Sequence, residues 1–335
     1  MHYRLLGRTG LSVSSICLGT VYFGSQIPGD VSTQIIHRAL DLGVSFVDTA
    51  EIYMRPRYNA AEEVVGQALV RRRHEVILAT KKRHDPRQFR TGGPQDHGLS
   101  RHQILSAVEG SLRRLRTDYI DLYYPHQVDL EVGLEETLRA FDDLVQSGKV
   151  RYVGLSNYQG WRVVKALWLA DRRGFDPVAC VQTLYNLLDR GIERELVPAC
   201  EKFGLGLVAY SPLAGGVLTG KYRPGVEPPP ESRASLVGRS TQGRPGHIPV
   251  LSDRNLAVAD RLVAFARKRG ETPARLAIAW TLHQPNVDAT IMGASTVTQL
   301  EDNVTAADLA LSPDDLTTLS SITDSPNLNG EYLDR

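Results

Sequence analysis

"SFVDTAEIY" (residues 45–53) begins as an apolar strand and then, within six residues, presents two carboxylates, Asp48 and Glu51, and a phenol, Tyr53. A buried strand delivering reactive groups to a site reads this way, and so does a strand passing into an ordinary polar loop. The runs around it decide what kind of strand it is. Seven more short apolar, β-rich runs occur: "SICLGT" (15–20), "EVILATK" (75–81), "YIDLYYPH" (119–126), "RYVGLSN" (151–157), "VACVQTLYN" (178–186), "GLVAYSPL" (206–213) and "ATIMGAS" (289–295). Their apolar character is continuous rather than alternating, which suits strands covered on both faces, as in a parallel sheet.

Amphipathic stretches of helical period lie between these runs. "STQIIHRALDLG" (32–43), "EETLRAFDDLVQSG" (135–148), "ELVPACEKFG" (195–204) and "DRLVAFARKRG" (260–270) each end in Gly, the residue that takes a left-handed C-cap without strain. Eight β-α alternations in one chain of this length point to an α/β fold, a (β/α)8 TIM barrel occupying residues 1–335 as a single domain. A doubly wound sheet is the alternative. It usually has fewer repeats, and its Gly-rich G-x-G-x-x-G turn after the first strand is missing. Residues 3–13 are expected to form an N-terminal β-hairpin capping the barrel. Two long segments, 82–99 and the Pro/Gly-rich 222–251, follow strands and are expected on the C-terminal face, the second as a lid. Residues 324–335 form a C-terminal tail.

The chain has 335 residues, 42% hydrophobic and 23% charged, with a net charge of +1. That balance offers no global basic field for nucleic acid or an anionic membrane. The start, "MHYRLLGRTG", lacks the apolar core of a signal peptide, and no run of about 20 apolar residues would span a bilayer. Cys17, Cys180 and Cys200 are odd in number and widely spaced in apolar stretches, so they read as reduced, buried thiols of a cytoplasmic protein. No regular ligand spacing among His84, His97 and His102 suggests a metal.

In a barrel the C-terminal ends of different strands converge, whatever their separation in sequence. Asp48 and Tyr53 follow the second run, Lys81 ends the third, and His126 ends the fourth. A lysine at a buried strand end needs a charged partner, and Asp48 on the neighbouring strand can be one. A phenol titrates near pH 10, so it needs an ammonium beside it to be a useful proton donor at neutral pH, while a histidine can bond the phenol or a substrate oxygen. Such a group can protonate a carbonyl oxygen as charge develops there, or take a hydroxyl proton in reverse. Any one of these residues alone is more often structural; it is their coincidence on three successive strand ends that points to chemistry. A hydrolase or lyase would need an acid pair or a metal cluster instead.

At this point the sequence resembles the aldo-keto reductases, and the branch containing voltage-gated potassium-channel β subunits and related bacterial reductases. The motifs are "GRTGLSVSSICLGTVYFG", "DTAEIY", "LATK", "DYIDLYYPHQVD", "GKVRYVGLSN", "VQTLYNLLDR", "AYSPLAGGVLTGKY" and "IMGASTVTQLEDN", in that order between residues 7 and 303, within a resemblance that runs from about residue 3 to about residue 323. The resemblance implies an oxidoreductase that reduces aldehydes and ketones with NADPH, NADH being the less favoured cofactor. It implies Asp48, Tyr53, Lys81 and His126 as a catalytic tetrad, with Tyr53 as general acid, Lys81 acidifying it and Asp48 orienting Lys81. Ser156, Asn157 and Gln182 would hold the nicotinamide amide, and Tyr210 would stack on its ring. Ser211, Pro212, Leu213, Gly215, Leu218 and Lys221 would line the pyrophosphate. Gly293, Ser295, Gln299, Asp302 and Asn303 would hold the adenosine end, and Thr20, Val21 and Gln26 would complete the cofactor contacts. In "PPESRASL" (229–236), Arg233 would reach the adenosine phosphate, favouring NADPH.

The sequence departs from the family in three places. The basic pair that other branches carry in the eighth-strand motif is replaced by Gly293 and Gln299. Met54 follows Tyr53 where Gly is common, and Pro125 precedes His126. Arg55, Arg57, Lys82, Arg83, Arg87 and Arg90 would surround the substrate, which suits an anionic or sugar-like carbonyl compound; charge runs of this kind are more often simply a solvated loop surface. Trp161 and Trp168, seven apart on a helix, read as packing residues. The alternative function is a cofactor-sensing regulatory module of the channel-subunit type, with slow turnover. Those subunits lack a histidine at the position of His126. The oligomeric state is not legible.

Overall fold

Every one of the eight apolar runs contains a strand. The computed structural model describes residues 1–53, 59–82, 98–230, 232–237 and 250–323. It begins with an antiparallel pair, β1 (Tyr3–Leu5) and β2 (Ser12–Ser14). Eight strands follow: β3 (Ile16–Gly19), β4 (Phe46–Asp48), β5 (Ile77–Lys82), β6 (Ile120–Pro125), β7 (Val150–Ser156), β8 (Val178–Leu184), β9 (Gly206–Tyr210) and β10 (Val287–Met292). They pair in parallel in chain order, and β10 bonds both β9 and β3, so the sheet closes into a (β/α)8 barrel and the doubly wound alternative is excluded.

The helices pack around this sheet. They are α1 (Gly29–Asp41), α2 (Ala60–Leu69), α3 (Arg101–Leu115), α4 (Leu134–Gln146), α5 (Gly160–Arg173), α6 (Leu196–Phe203), α7 (Arg233–Val237), α8 (Asp253–Arg269), α9 (Pro273–Leu282), α10 (Val297–Val304) and α11 (Pro313–Ser321). Local chemistry sets their ends. Ser100 and Gln103 form a reciprocal capping box at the start of α3, and Ser312 with Asp315 does the same for α11. Gly174, Gly204 and Gly270 close α5, α6 and α8 in the left-handed conformation. On α5 the buried face is Val163, Ala166, Leu169 and Ala170. Trp161 and Trp168 therefore do not pack as expected: they are 50% and 53% exposed, with the Arg162 and Arg172 guanidinium groups over their rings.

Because successive strand side chains point to opposite faces, each barrel strand has an inward and an outward phase. The inward phase carries Cys17, Phe46, Ala79, Leu122, Tyr124, Cys180, Val208, Ala289 and Ile291, a buried layer inside the barrel. Gly154 on β7 belongs to this phase because nothing larger fits. A Cβ there would lie 2.3 Å from the Tyr124 ring. Continued toward the C-terminal ends, the same phase reaches Asp48, Lys81, His126, Ser156, Gln182 and Tyr210. The outward phase builds the sheet–helix cores, around Trp280 on one side and Phe141 on the other.

The hairpin β1–β2 places Leu6 and Val13 beneath the interior layer. Gly7 N–H donates to Asp288 Oδ2 at 2.9 Å, and the Arg4 guanidinium reaches the Leu282 and Val287 carbonyls. Gly7 has φ +56 and sits so close to β9 that a Cβ would lie 2.3 Å from the Gly206 nitrogen. The cap expected from residues 3–13 is thus present. Cys17, Cys180 and Cys200 are free and buried. Among the described residues no helix is long and apolar enough to cross a membrane, and no group of three or more His, Cys, Asp or Glu residues could hold a metal ion. Most of the 82–99 loop, the stretch 238–249 of the expected lid, residues 54–58 and the 324–335 tail lie outside the described residues. Arg55, Arg57, Arg83, Arg87, Arg90, His84 and His97 lie there too.

Candidate active site

At the C-terminal end of β4 the inward side chain is Asp48, 1% exposed; on β5 it is Lys81, fully buried. Their registers bring them together: β4 pairs with β5 through Asp48 and Ala79, two residues before Lys81. Lys81 Nζ contacts Asp48 Oδ1 and donates to the Thr49 carbonyl at 2.9 Å and to Tyr53 OH at 2.8 Å. The Tyr53 hydroxyl in turn donates to Asp48 Oδ1 at 3.3 Å. The second carboxylate oxygen, Oδ2, accepts from Gln182 Nε2 at 2.8 Å. The ammonium's three donor directions are thus all used, which is what burying it requires.

His126 follows Pro125, the last residue of β6. Proline removes one donor, but the His126 N–H resumes the pairing at once by donating to the Lys82 carbonyl at 2.7 Å. The His126 ring is buried and meets the Tyr53 ring edge-on, with centroids 6.0 Å apart and planes at 76°. The structure therefore brings all four expected strand-end residues together. Asp48, Lys81 and His126 come from β4, β5 and β6 and the ends they lead into, and Tyr53 comes from the loop after β4.

The remaining expected residues occupy the complementary arc, β7 to β10 and β3. Asn157, just past β7, has φ +60, a left-handed conformation that Asn tolerates better than most residues. Its side-chain amide donates to the His126 carbonyl at 2.9 Å and to Ser156 Oγ at 3.1 Å, while its Oδ1 accepts from Tyr210 OH at 2.8 Å. Ser211 (φ +57), Ala214 (φ +47), Gly215 (φ +68) and Gly216 (φ +95) curl the chain after β9. Pro212 is buried there, Leu218 is a core residue, and Leu213 packs against both outer cores. Asn186 steadies the curl by donating to the Ser211 carbonyl at 3.0 Å, a role the sequence reading missed. Lys221 is exposed at its surface, yet the protein packed around it and the neighbouring Arg233 charge hold its ammonium below the usual lysine pKa. The Arg233 guanidinium lies 4.6 Å from the centre of the Tyr22 ring. Gly293, Ser295, Gln299 and Asp302 are exposed around the start of α10, where Gln299 Oε1 caps Ser295 N–H at 2.9 Å. Asn303 is buried against Met292. Thr20 binds the Asp48 carbonyl through its hydroxyl at 3.0 Å, Val21 packs against the cluster that includes Tyr53, and Gln26 is exposed.

Two expectations need correction. Lys81 does not leave Tyr53 acidic: burial first, then the charge and hydrogen bond of Asp48, push the phenol well above its ordinary pKa. Asp48 lies close enough to both groups to offset the ammonium at the phenol oxygen. Burial likewise lowers the Lys81 pKa, against the opposing pull of Asp48. Lys82 does not stand free around a substrate. Being on the outward phase, it is buried and paired with Glu51 at 3.1 Å.

Comparison with known proteins gives the class. The profile described as the aldo/keto reductase family matches residues 15–324. The chain belongs to that family, whose members are oxidoreductases acting on carbonyl groups. It is 38% identical over 331 residues to the uncharacterized oxidoreductase YrpG of Bacillus subtilis (strain 168), covering 97% of each chain. It is 38% identical over 315 residues, 92% of each chain, to a probable voltage-gated potassium channel subunit beta of Oryza sativa subsp. japonica. To the L-glyceraldehyde 3-phosphate reductase of Escherichia coli (strain K12) it is 35% identical over 312 residues, covering 91% of this chain and 87% of the relative.

Proposed function

We propose that the protein is an NADPH-dependent reductase of aldehydes and ketones, with Tyr53 as the proton donor. The observation that carries this reading is the Tyr53 hydroxyl, held between Lys81 Nζ at 2.8 Å and Asp48 Oδ1 at 3.3 Å at the mouth of the barrel. The raised pKa keeps that phenol protonated, which is the state a general acid needs. Tyr53 gives its proton to the carbonyl oxygen, and the phenolate left behind faces the Lys81 ammonium. Asp48 keeps that ammonium in place and partners it throughout. His126, whose ring meets Tyr53 edge-on, would donate to the same substrate oxygen.

The residues of the opposite arc fit a dinucleotide phosphate. Lys221 and Arg233 crowd two cations together, and among the described residues neither has a carboxylate partner. A phosphate group would relieve that repulsion, and a guanidinium forks well onto one. The left-handed curl at 211–216 includes two residues, Ser211 and Ala214, in a conformation that non-glycine residues hold only where surrounding structure enforces it. Such curls aim backbone N–H groups at anions. When bound, the reduced nicotinamide supplies hydride to the carbonyl carbon. Ser156, Asn157 and Gln182 would hold its amide, and Tyr210 would lie against its ring.

A polar, phosphorylated aldehyde is the first substrate to try, since one relative is named for L-glyceraldehyde 3-phosphate. The test is a titration with NADPH and NADH, followed by loss of reduced-nicotinamide absorbance with aldehydes, ketoses and sugar phosphates, and Tyr53→Phe as blank. Turnover that vanishes in Tyr53→Phe supports the reading. Cofactor binding without turnover on any substrate moves the assignment to the regulatory module. Failure to bind either cofactor sinks it.

A further inference from the structure

The outward face of the barrel wall behind Lys81 is a buried layer of charge that the proton-transfer chemistry leaves unused. Thr80 donates to Glu62 at 2.7 Å, and Glu62 also accepts from Arg114 at 2.7 Å. Beside them Lys82 Nζ lies 3.1 Å from Glu51 Oε1, with the two side chains only 6% and 17% exposed. Glu51 is close enough to raise the pKa of both Glu62 and the buried Tyr123 phenol, which places it within this layer.

The connections of this second pair are specific. Lys82 follows Lys81 in β5. Its carbonyl accepts the His126 N–H at 2.7 Å, and its ammonium grips Glu51, two residues before Tyr53. The Glu51 carbonyl in turn accepts from Asn59 N–H at 3.1 Å, tying the same loop to the start of α2. A single residue, Lys82, thus anchors the backbone around three of the four strand-end groups, from the side of the wall opposite to them.

We infer that Glu51 and Lys82 are a positioning pair, which sets the separation of Tyr53 from Lys81 and of both from His126. The inference rests on the proposed roles of Tyr53 and Lys81. Neither Glu51 nor Lys82 reaches the substrate. Their effect is on geometry, and displacing a reacting group by about 1 Å can cost about 100-fold in rate.

The test compares Glu51→Gln, Lys82→Met, the double variant and the conservative Lys82→Arg with the wild-type protein. Four quantities are read: kcat and KM with a reducible aldehyde, cofactor Kd, thermal midpoint, and amide hydrogen exchange of residues 45–53 and 59–63. The pair predicts that each single removal lowers kcat about 10- to 100-fold with KM within about twofold, and that the double variant is no worse than the singles. Cofactor Kd stays constant, exchange rises in 50–53, and Lys82→Arg recovers most of the rate. A lower midpoint with kcat intact well below it overturns the inference, because the pair is then merely structural. A raised KM with kcat intact also overturns it, because Lys82 then meets the substrate. If the wild-type protein reduces nothing and Tyr53→Phe changes nothing, the functional reading has failed, and exchange alone decides. Unchanged exchange in Glu51→Gln then overturns the pair independently.

Discussion

Asp48 and Lys81 form an ion pair with almost no exposure, 1% and 0% of their side-chain surface, on adjacent strands of the barrel. Taking two charges out of water costs several kcal/mol each, recovered only when geometry and hydrogen bonds are complete. Here they are, through Thr49, Tyr53 and Gln182. Removing one charge should therefore hurt more than removing both. Asp48→Asn is expected to lower stability by about 3–5 kcal/mol, and Asp48→Asn/Lys81→Met by less, read as urea midpoints. Additive losses would show that the pair is not coupled.

The raised Tyr53 pKa has a consequence for rate. With Tyr53 as the proposed proton donor, reduction requires the protonated phenol, so on the Tyr53 limb the rate should stay flat through neutrality and fall only above the ordinary phenol value of about 10. Asp48→Asn removes the main charge that raises it, so the falling limb should move to lower pH. The measurement is kcat against pH for the two proteins; a wild-type limb below pH 9 would contradict the arrangement.

With Lys221 and Arg233 at the cofactor phosphate, as proposed, cofactor affinity should depend on pH. The Lys221 pKa is lowered, and a bound phosphate would raise it again. Binding should therefore weaken as pH rises through the lowered value. Arg233→Met relieves the repulsion, so it should push this weakening to higher pH while costing NADPH about tenfold in affinity. A smaller loss for NADH than for NADPH, measured by fluorescence titration, would place Arg233 at the extra phosphate. Equal losses would remove it from that position.

How much of this could be read from residues alone depends on side-chain phase. The eight strands were legible because buried parallel strands are continuously apolar, and the clustering of Asp48, Lys81 and His126 followed because strand ends converge. What continuous apolar runs do not mark is which face a side chain takes. Lys82, one residue past Lys81, therefore reads in sequence as one of the substrate-side cations, although alternation sends it through the wall to Glu51. The bond from Gln182 to Asp48 spans 134 residues and crosses from β8 to β4, on opposite sides of the barrel. Only a closed sheet of known register brings them together. The direction of the Tyr53 shift was missed for a related reason, since a pair of motifs does not reveal that Asp48 touches the phenol as well as the ammonium. On α5 a seven-residue spacing of tryptophans showed that they share a face, but not that Val163, Ala166 and Ala170 occupy the buried one.

Asp288 ties the hairpin cap to the base of β10, accepting the Gly7 N–H at 2.9 Å. Burial pushes its carboxyl from 3.8 to about 6, against the opposing pull of the Gly7 bond and of Arg4. A folded pKa above the unfolded one means that the folded state holds the proton more tightly. The resulting stability is complete below the unfolded value and is lost as pH rises through about 6. The sign is opposite to that of carboxylates such as Asp315, whose pKa is lowered at the start of α11 and whose contribution is held above 3.8 and lost only as pH falls below that value. Asp288→Asn keeps an acceptor for Gly7 but cannot ionise. Its urea midpoint should already exceed that of wild type at pH 5, inside the window between 3.8 and about 6, and the difference should be larger at pH 7, where wild type has lost the whole contribution. A difference between the two proteins that does not vary with pH would mean that Asp288 is ionised throughout this range and that the Gly7 and Arg4 contacts outweigh its burial.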